Sequence, residues 1–183
     1  MRGLNRSCFA LCVAAFVLSG CGGGQGPAPV MAPGGGVIPT VPASGGVFGA
    51  SYSGTANVAF GCVPSRDHGF RSRFISKGAG VASFLGVSTE SGDLHQFVDL
   101  GFCARWHGAV RLVSSTNDQN YIVMYVRGPR SMSPCGRTLR YKVKSGGGAF
   151  ASATGSGTVR LLCTVSSSSY IPYSDRWTGS LNF

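Results

Sequence analysis

Residues 46–183 show almost no helical periodicity, and this feature most limits the fold that the chain can adopt. Short runs rich in Val, Ile, Thr, Tyr and Phe are separated by breaks of Gly, Ser, Pro and Asn, a pattern typical of strands and turns. Across residues 138–144, apolar and basic residues alternate, as expected for a strand with one face in the core and one in water. We therefore predict an all-β fold, a sandwich or small barrel of about eight to ten short antiparallel strands.

The predicted strands follow one another through the whole domain. They cover residues 47–52, 57–62, 71–75, 81–87, 96–102, 109–114, 121–127, 138–144, 158–165 and 177–183. The strand at 121–127 begins with an apolar run, which predicts burial on both faces. Residues 145–157 are rich in Gly and Ser, and we predict a long, mobile connection there.

A weak internal repeat links the two ends of the domain. Residues 52–57 and 177–182 share the order aromatic, Ser or Thr, Gly, Ser or Thr, small or apolar, Asn. First and last strands that resemble one another can lie side by side and close a barrel. Coincidence in a chain rich in Gly and Ser explains the likeness better.

The first 20 residues have the features of an export signal. Arg2 and Arg6 precede an uncharged segment whose core, residues 8–18, is too short to span a bilayer as a helix. The segment ends in Leu18-Ser19-Gly20-Cys21, which resembles the lipobox of bacterial lipoproteins. The resemblance implies cleavage before Cys21, acylation of that cysteine with chains such as palmitate, and membrane anchoring. In that class, an Asp directly after the cysteine often marks retention in the inner membrane. Gly22 stands at this position, so the chain resembles lipoproteins that go to the outer membrane by default. The alternative to a lipoprotein signal is an ordinary signal peptide.

Three parts of the chain follow from this reading. Residues 1–20 are the lipoprotein signal peptide, 21–45 are the lipidated cysteine with a flexible tether, and 46–183 are a single β-rich domain. The tether is uncharged and dominated by Gly and Pro, so it has too little apolar surface to offset the entropy lost on ordering.

Four cysteines belong to the domain: Cys62, Cys103, Cys135 and Cys163. Their number is even, their spacing contains no CxxC pair, and an exported domain is oxidised, so we predict two disulfides rather than zinc ligands. Cys135 and Cys163 are equidistant from Ala149, and a hairpin centred there would place them opposite one another. This favours Cys135–Cys163 and, by elimination, Cys62–Cys103, while the other two connectivities stay open.

No catalytic, metal-binding or cofactor-binding motif is present in the sequence. The histidines, His68, His95 and His107, lack metal-ligand spacing, and there is no GxSxG elbow or phosphate-binding loop. Asp93 and His95 flank Leu94 and would share one strand face. With a serine, Asp93 or Asp99 and a histidine, a triad is arithmetically possible, but polar surface residues explain the pattern better. We therefore expect that the protein is not an enzyme and that it holds no metal ion and no cofactor.

The basic stretch from Arg127 to Arg160 is the one sequence feature that indicates a class of ligand. It contains seven cations and no acid, and positive charge attracts anionic partners. We predict an anionic-ligand face that comprises Arg137, Arg140, Lys142, Lys144 and Arg160. Lipid A phosphates, anionic lipid headgroups and peptidoglycan are the candidate partners, and nucleic acid is not expected because aromatic residues do not interleave the cations. A solvated surface that only aids solubility is the alternative.

These features predict a membrane-anchored envelope lipoprotein with a non-catalytic binding or structural β domain. Two rival functions stay open. One is a hydrolase with an unrecognised site on the exported side of the membrane. The other is a small transmembrane β-barrel, favoured by the C-terminal Phe183 and by the alternation at 138–144, but for which a lipid anchor would be redundant.

Overall fold

The computed structural model describes residues 45–59, 72–99, 102–164 and 168–183. Its elements, in chain order, are β1 (Gly46–Ala59), β2 (Ser72–Ala82), β3 (Gly86–Gln96), β4 (Val98–Asp99), β5 (Phe102–Cys103), β6 (Arg105–Ser114), β7 (Tyr121–Arg130), β8 (Thr138–Gly147), a 3-10 turn (Gly148–Phe150), β9 (Thr154–Cys163) and β10 (Tyr170–Asn182). In this part of the chain no helix is long and apolar enough to cross a membrane.

Eight of these strands close into an antiparallel barrel in the order β1-β10-β9-β8-β7-β6-β3-β2. The all-β prediction is confirmed, and of the two predicted architectures the fold is the barrel. Neighbours around the barrel are consecutive in the chain, apart from the short β4–β5 ladder and the pairing of β10 with β1. The two repeated segments lie on these adjacent strands but not opposite one another, since Tyr52 lies opposite Asp175 and Trp177 lies opposite Ala50. Closure leaves the barrel without an unpaired edge.

Two predicted strand boundaries are wrong at the start of the domain. Residues 47–52 and the described part of 57–62 belong to one strand, β1, because Gly54 continues the extended chain instead of breaking it. A Cβ at Gly54 would lie 2.0 Å from the carbonyl oxygen of Lys77, so only glycine fits where β1 and β2 approach. Residues 81–87, predicted as a strand, instead contain the turn between β2 and β3, with Phe84 at a φ of 70°.

Two further predictions fail at the β7–β8–β9 sheet region. Residues 121–127 are not buried on both faces, since burial alternates along β7 and Tyr125 is 40% exposed. The connection predicted at 145–157 is short, because β8 extends to Gly147 and β9 begins at Thr154. Between them, the fully buried Phe150 anchors the 3-10 turn in the core.

The core fills the barrel interior with the inward side chains of every barrel strand. The largest fully buried side chains are Trp106, Trp177, Tyr52, Phe48, Phe74 and Phe150. At the end where β1 begins, Phe183 packs against both Phe84 and Phe150, with ring centroids 5.2 and 5.0 Å apart. We call this the aromatic end of the barrel.

The opposite end, which we call the disulfide end, carries a covalent link between β9 and the β7–β8 connection. Cys135 and Cys163 are bonded there, with their Cα atoms 5.1 Å apart. Thr138 pairs with Arg160 and Leu139 with Val159, which is the register of a hairpin centred on Ala149, so this predicted pairing is confirmed. Cys103 is also disulfide-bonded; Cys62, its predicted partner, lies outside the described residues, and that pairing stays a prediction.

Candidate functional site

The predicted basic residues lie on the outside of the barrel. Along β8, Leu139, Tyr141 and Val143 are buried, whereas Arg140, Lys142 and Lys144 are exposed. The alternation expected from the sequence is therefore present. Arg137 is exposed just before β8, and Arg160 is exposed on the neighbouring strand β9.

Strand pairing adds exposed cations that the sequence alone did not place on this face. Arg127 of β7 lies directly opposite Arg140, and Arg176 of β10 lies opposite Arg160. Arg105 of β6 pairs with Arg130. Only the register between strands brings these residues together. The density of cations within 127–160 signalled Arg127 and Arg130, whereas Arg105 and Arg176 lie outside that stretch and had no signal in the sequence. We define the basic face as the exposed cations of β6–β10 and of the β7–β8 connection: Arg105, Arg111, Arg127, Arg130, Arg137, Arg140, Lys142, Lys144, Arg160 and Arg176.

Acidic side chains are almost absent from this part of the barrel. Within residues 102–164 and 168–183 the acids are Asp118, in the β6–β7 turn, and Asp175, which is buried. The salt bridge found among the described residues lies elsewhere, between Arg73 of β2 and Asp93 of β3, at 2.6 Å. The cations of the basic face therefore have no described acid to neutralise them.

A groove of about 580 Å³ opens on the basic face near the disulfide end. Its lining residues are Arg105, Arg127, Gly128, Pro129, Thr138 and Arg140. Gly128 forms part of its floor and is buried, and a Cβ there would lie 3.0 Å from side-chain atoms of both Leu139 and Trp106. The register of β6 against β7 shifts between Arg105 and His107, and such a bulge redirects the side chains beside it. We call this feature the arginine groove.

Buried polar contacts hold the wall of the arginine groove in place. The side-chain N–H groups of Gln96 and Trp106 both donate to the carbonyl oxygen of Ser131, each at 2.9 Å. Beyond Ser131, the Cys135–Cys163 disulfide ties the same connection to β9. The amide of Leu161 donates to the carbonyl of Arg137 at 3.0 Å. The strands and the connection that carry the groove arginines are thus fixed at several points.

The histidines and Asp93 gather on the outer surface of β3 and β6. Asp93 and His95 share the outward face of β3, as expected from the sequence, and His107 lies opposite His95 with ring centroids 4.3 Å apart. Arg73 donates two hydrogen bonds to the Asp93 carboxylate, at 3.0 and 2.6 Å, and holds the pKa of Asp93 below its usual value. Asp93 is engaged by Arg73, so the predicted triad that would use Asp93 is not assembled. The side chain of Asp99, the other predicted acid, lies outside what the structure describes. His68 lies outside the described residues.

Two carboxyl groups meet in the barrel interior, a pairing that sequence reasoning missed. Glu90 of β3 and Asp175 of β10 are 3% and 4% exposed. Ser76 Oγ and the Tyr173 hydroxyl donate to Glu90 Oε1, at 3.0 and 3.1 Å. The amide of Tyr52 donates to Asp175 Oδ1 at 3.2 Å. Alternation along β3 and β10 is enough to place each carboxyl group on the inward face of its strand. It could not show that the two groups meet, because the strands that carry them are far apart in the chain.

Asp175 is held in its neutral form by this environment. Burial raises its pKa most, and the hydrogen bond and charge of Glu90 raise it further, to about 10. A protonated Asp175 can donate to Glu90, whose Oε2 otherwise has no donor among the described residues. The cavity that both line is about 20 Å³, room for about one water molecule.

No group of three or more His, Cys, Asp or Glu side chains within the described ranges is arranged to hold a metal ion. The chain was also compared with known proteins at three levels. Neither protein-family models, nor curated proteins, nor solved structures give a match.

Proposed function

We propose that this protein is a lipid-anchored protein of the bacterial cell envelope whose barrel is a non-catalytic binding module for anionic lipid surfaces. The observation that carries the proposal is the segregation of charge. Exposed cations line β6–β10 with no described acid beside them, whereas on β2 and β3 Arg73 is neutralised by Asp93. Charge concentrated on one side of a protein orients and accelerates its encounter with an anionic surface.

The predicted tether makes a membrane surface the nearest anionic partner. As a flexible coil, residues 22–45 would reach roughly 25–30 Å on average. A barrel held at that distance by Cys21 stays close to lipid A phosphates or anionic phospholipid headgroups. In a two-membrane envelope, the tether would keep the basic face within reach of the leaflet that displays such groups.

The apolar interior and the charged exterior of the barrel support an outer surface that faces water. Side chains that point inward are mainly apolar, while the outward positions of β8 carry Arg140, Lys142 and Lys144. Transmembrane barrels show the reverse arrangement, with an apolar outer band and a polar interior. The basic face is therefore available to a ligand rather than to the hydrocarbon of a bilayer.

The test compares two variants with the same change in net charge. In the mature chain with Cys21→Ser, which removes the lipid, Arg140, Lys142 and Lys144 are changed to Gln. The control changes Ser53, Thr55 and Thr89 to Glu, exposed positions on β1 and β3. Both are sedimented with vesicles that contain lipid A or phosphatidylglycerol, and with peptidoglycan.

We expect the Gln variant to lose vesicle binding and the Glu control to keep it. Wild-type binding should weaken as salt rises, since the Debye length falls from about 10 Å at 0.1 M to about 3 Å at 1 M. Equal binding by both variants, or retention on peptidoglycan but not on vesicles, would contradict the proposal.

A further inference from the structure

The arginine groove combines charge, shape and rigidity in a way that the rest of the basic face does not. Its three arginines come from three adjacent strands, β6, β7 and β8. Arg127 and Arg140 are direct neighbours across the β7–β8 ladder, and directly opposite residues have Cβ atoms about 5 Å apart. Arg105 approaches from the other side of Arg127, beyond the β6 bulge.

Three guanidinium groups in one groove repel one another, and no described acid on these strands offsets the repulsion. An anion bound among them would remove this repulsion. Each guanidinium offers a planar fork of donors that matches two oxygens of an oxyanion, so Arg is favoured over Lys at phosphate sites. Thr138 adds a hydroxyl group to the lining. The groove thus has the donors of an oxyanion site rather than those of a diffuse attractive surface.

The shape of the groove limits the size of its ligand. A volume of about 580 Å³ lies within the usual range for small-molecule sites, about 300–1,000 Å³. Pro129 and the backbone of Gly128 line its floor. A Cβ at position 128 would point at Leu139 and Trp106 in the core and not into the groove. The hydrogen bonds to Ser131 and the Cys135–Cys163 disulfide fix its wall. Such a groove can take a phosphoryl group together with the first ring or ester group attached to it.

We propose that Arg105, Arg127 and Arg140 form a discrete site for a phosphomonoester group. The inference rests on the proposed function and names the ligand chemistry of its basic face. A phosphomonoester is a dianion with three terminal oxygens, one for each guanidinium. A carboxylate or a phosphodiester has two oxygens to offer and a single charge. The same chemistry is supplied by a lipid headgroup that ends in a phosphomonoester and by a soluble sugar phosphate.

The test changes one groove arginine at a time in the mature chain with Cys21→Ser. The groove variants are Arg105→Gln and Arg127→Gln. The control is Lys77→Gln, which removes the same charge from an exposed position on β2, outside the basic face. Binding of inorganic phosphate, glucose 1-phosphate and acetate is measured by titration calorimetry at constant ionic strength. Because all three residues are exposed, the variants should fold, and unchanged thermal unfolding verifies this.

We expect both phosphate compounds to bind wild type at least tenfold more tightly than acetate. Each groove variant should lose at least tenfold in phosphate affinity, and Lys77→Gln less than twofold. Arg127→Lys, which keeps the charge but not the fork, should fall between wild type and Arg127→Gln. Equal losses in groove and control variants, or no preference for phosphate over acetate, would overturn the proposal.

A further experiment with vesicles distinguishes a lipid headgroup from a soluble ester as the ligand. It also tests the groove proposal separately from the proposed function. Vesicles of phosphatidic acid, a phosphomonoester, are compared with phosphatidylglycerol vesicles of equal surface charge. Stronger retention on phosphatidic acid, lost in Arg127→Gln, supports a headgroup as the ligand; phosphate binding without it supports a soluble ester. If wild type binds both vesicles equally and shows no preference for phosphate, the groove proposal fails and the proposed function stands. If phosphate binds but no vesicle does, the proposed function fails and the groove stands.

Discussion

Asp175→Asn should flatten the dependence of stability on pH. In the folded barrel, burial and Glu90 raise the pKa of Asp175 from 3.8 to about 10. The unfolded chain releases this proton near its ordinary pKa, so between these two values the native state binds one proton more than the unfolded state. Stability therefore falls as pH rises through this window, by about 1.4 kcal/mol per pH unit for one retained proton.

Between pH 6 and pH 8, one retained proton costs wild type about 3 kcal/mol. That is a large share of the roughly 5–15 kcal/mol that stabilises a typical domain. Asn at position 175 has no proton to lose. Its carbonyl oxygen can still accept from the Tyr52 amide, and its own amide can donate to Glu90 in place of the acid. We expect the variant to match wild type near pH 5 and to exceed it at pH 8.

Urea unfolding followed by tryptophan fluorescence measures the effect, because Trp106 and Trp177 are both buried. Histidine titration contributes equally to wild type and variant, so the difference between their curves isolates Asp175. Asp93→Asn is the control. Its carboxyl has a lowered pKa beside Arg73, and its contribution is lost only in acid, so the slope between pH 6 and 8 should not change. Parallel curves of unfolding free energy against pH for wild type and Asp175→Asn would refute the conclusion that the folded barrel keeps the proton of Asp175.

Two further predictions concern the anchor and the disulfide. Cys21→Ser should release the protein from membranes or leave its precursor uncut, since stable anchoring needs the acyl chains; fractionation and intact mass decide this, and a mature wild-type N-terminus other than Cys21 would contradict it. Cys135→Ser with Cys163→Ser opens a link across a sequence separation of 28 and should cost about 3–4 kcal/mol in urea unfolding. It should also weaken phosphate binding because the wall of the arginine groove is freed, and unchanged stability and binding would argue against that role.

Local side-chain patterns determined part of this structure. The alternation of Leu139, Arg140, Tyr141 and Lys142 was sufficient to place one face of β8 in the core and the other in water, because the period of a strand is fixed by its backbone. The same holds for the hairpin about Ala149, whose symmetry relates Cys135 to Cys163 through a single local connection. The repeat shared by residues 52–57 and 177–182 lies on the first and last strands. Only the closed barrel shows that these strands pair, and it pairs them with the two copies out of register.

Tertiary structure decided what depends on register between distant strands. Gly54 looks like a break in the sequence, yet the approach of β2 makes it part of a continuous strand. Arg105 joins Arg127 and Arg140 in one groove because the two ladders between β6, β7 and β8 align them. Tyr173 and Glu90 are 83 residues apart and meet only because β10 pairs with β1 and the barrel closes. A residue's periodicity fixes which face it occupies, whereas its neighbours on that face depend on strand order and shear, which no local pattern encodes.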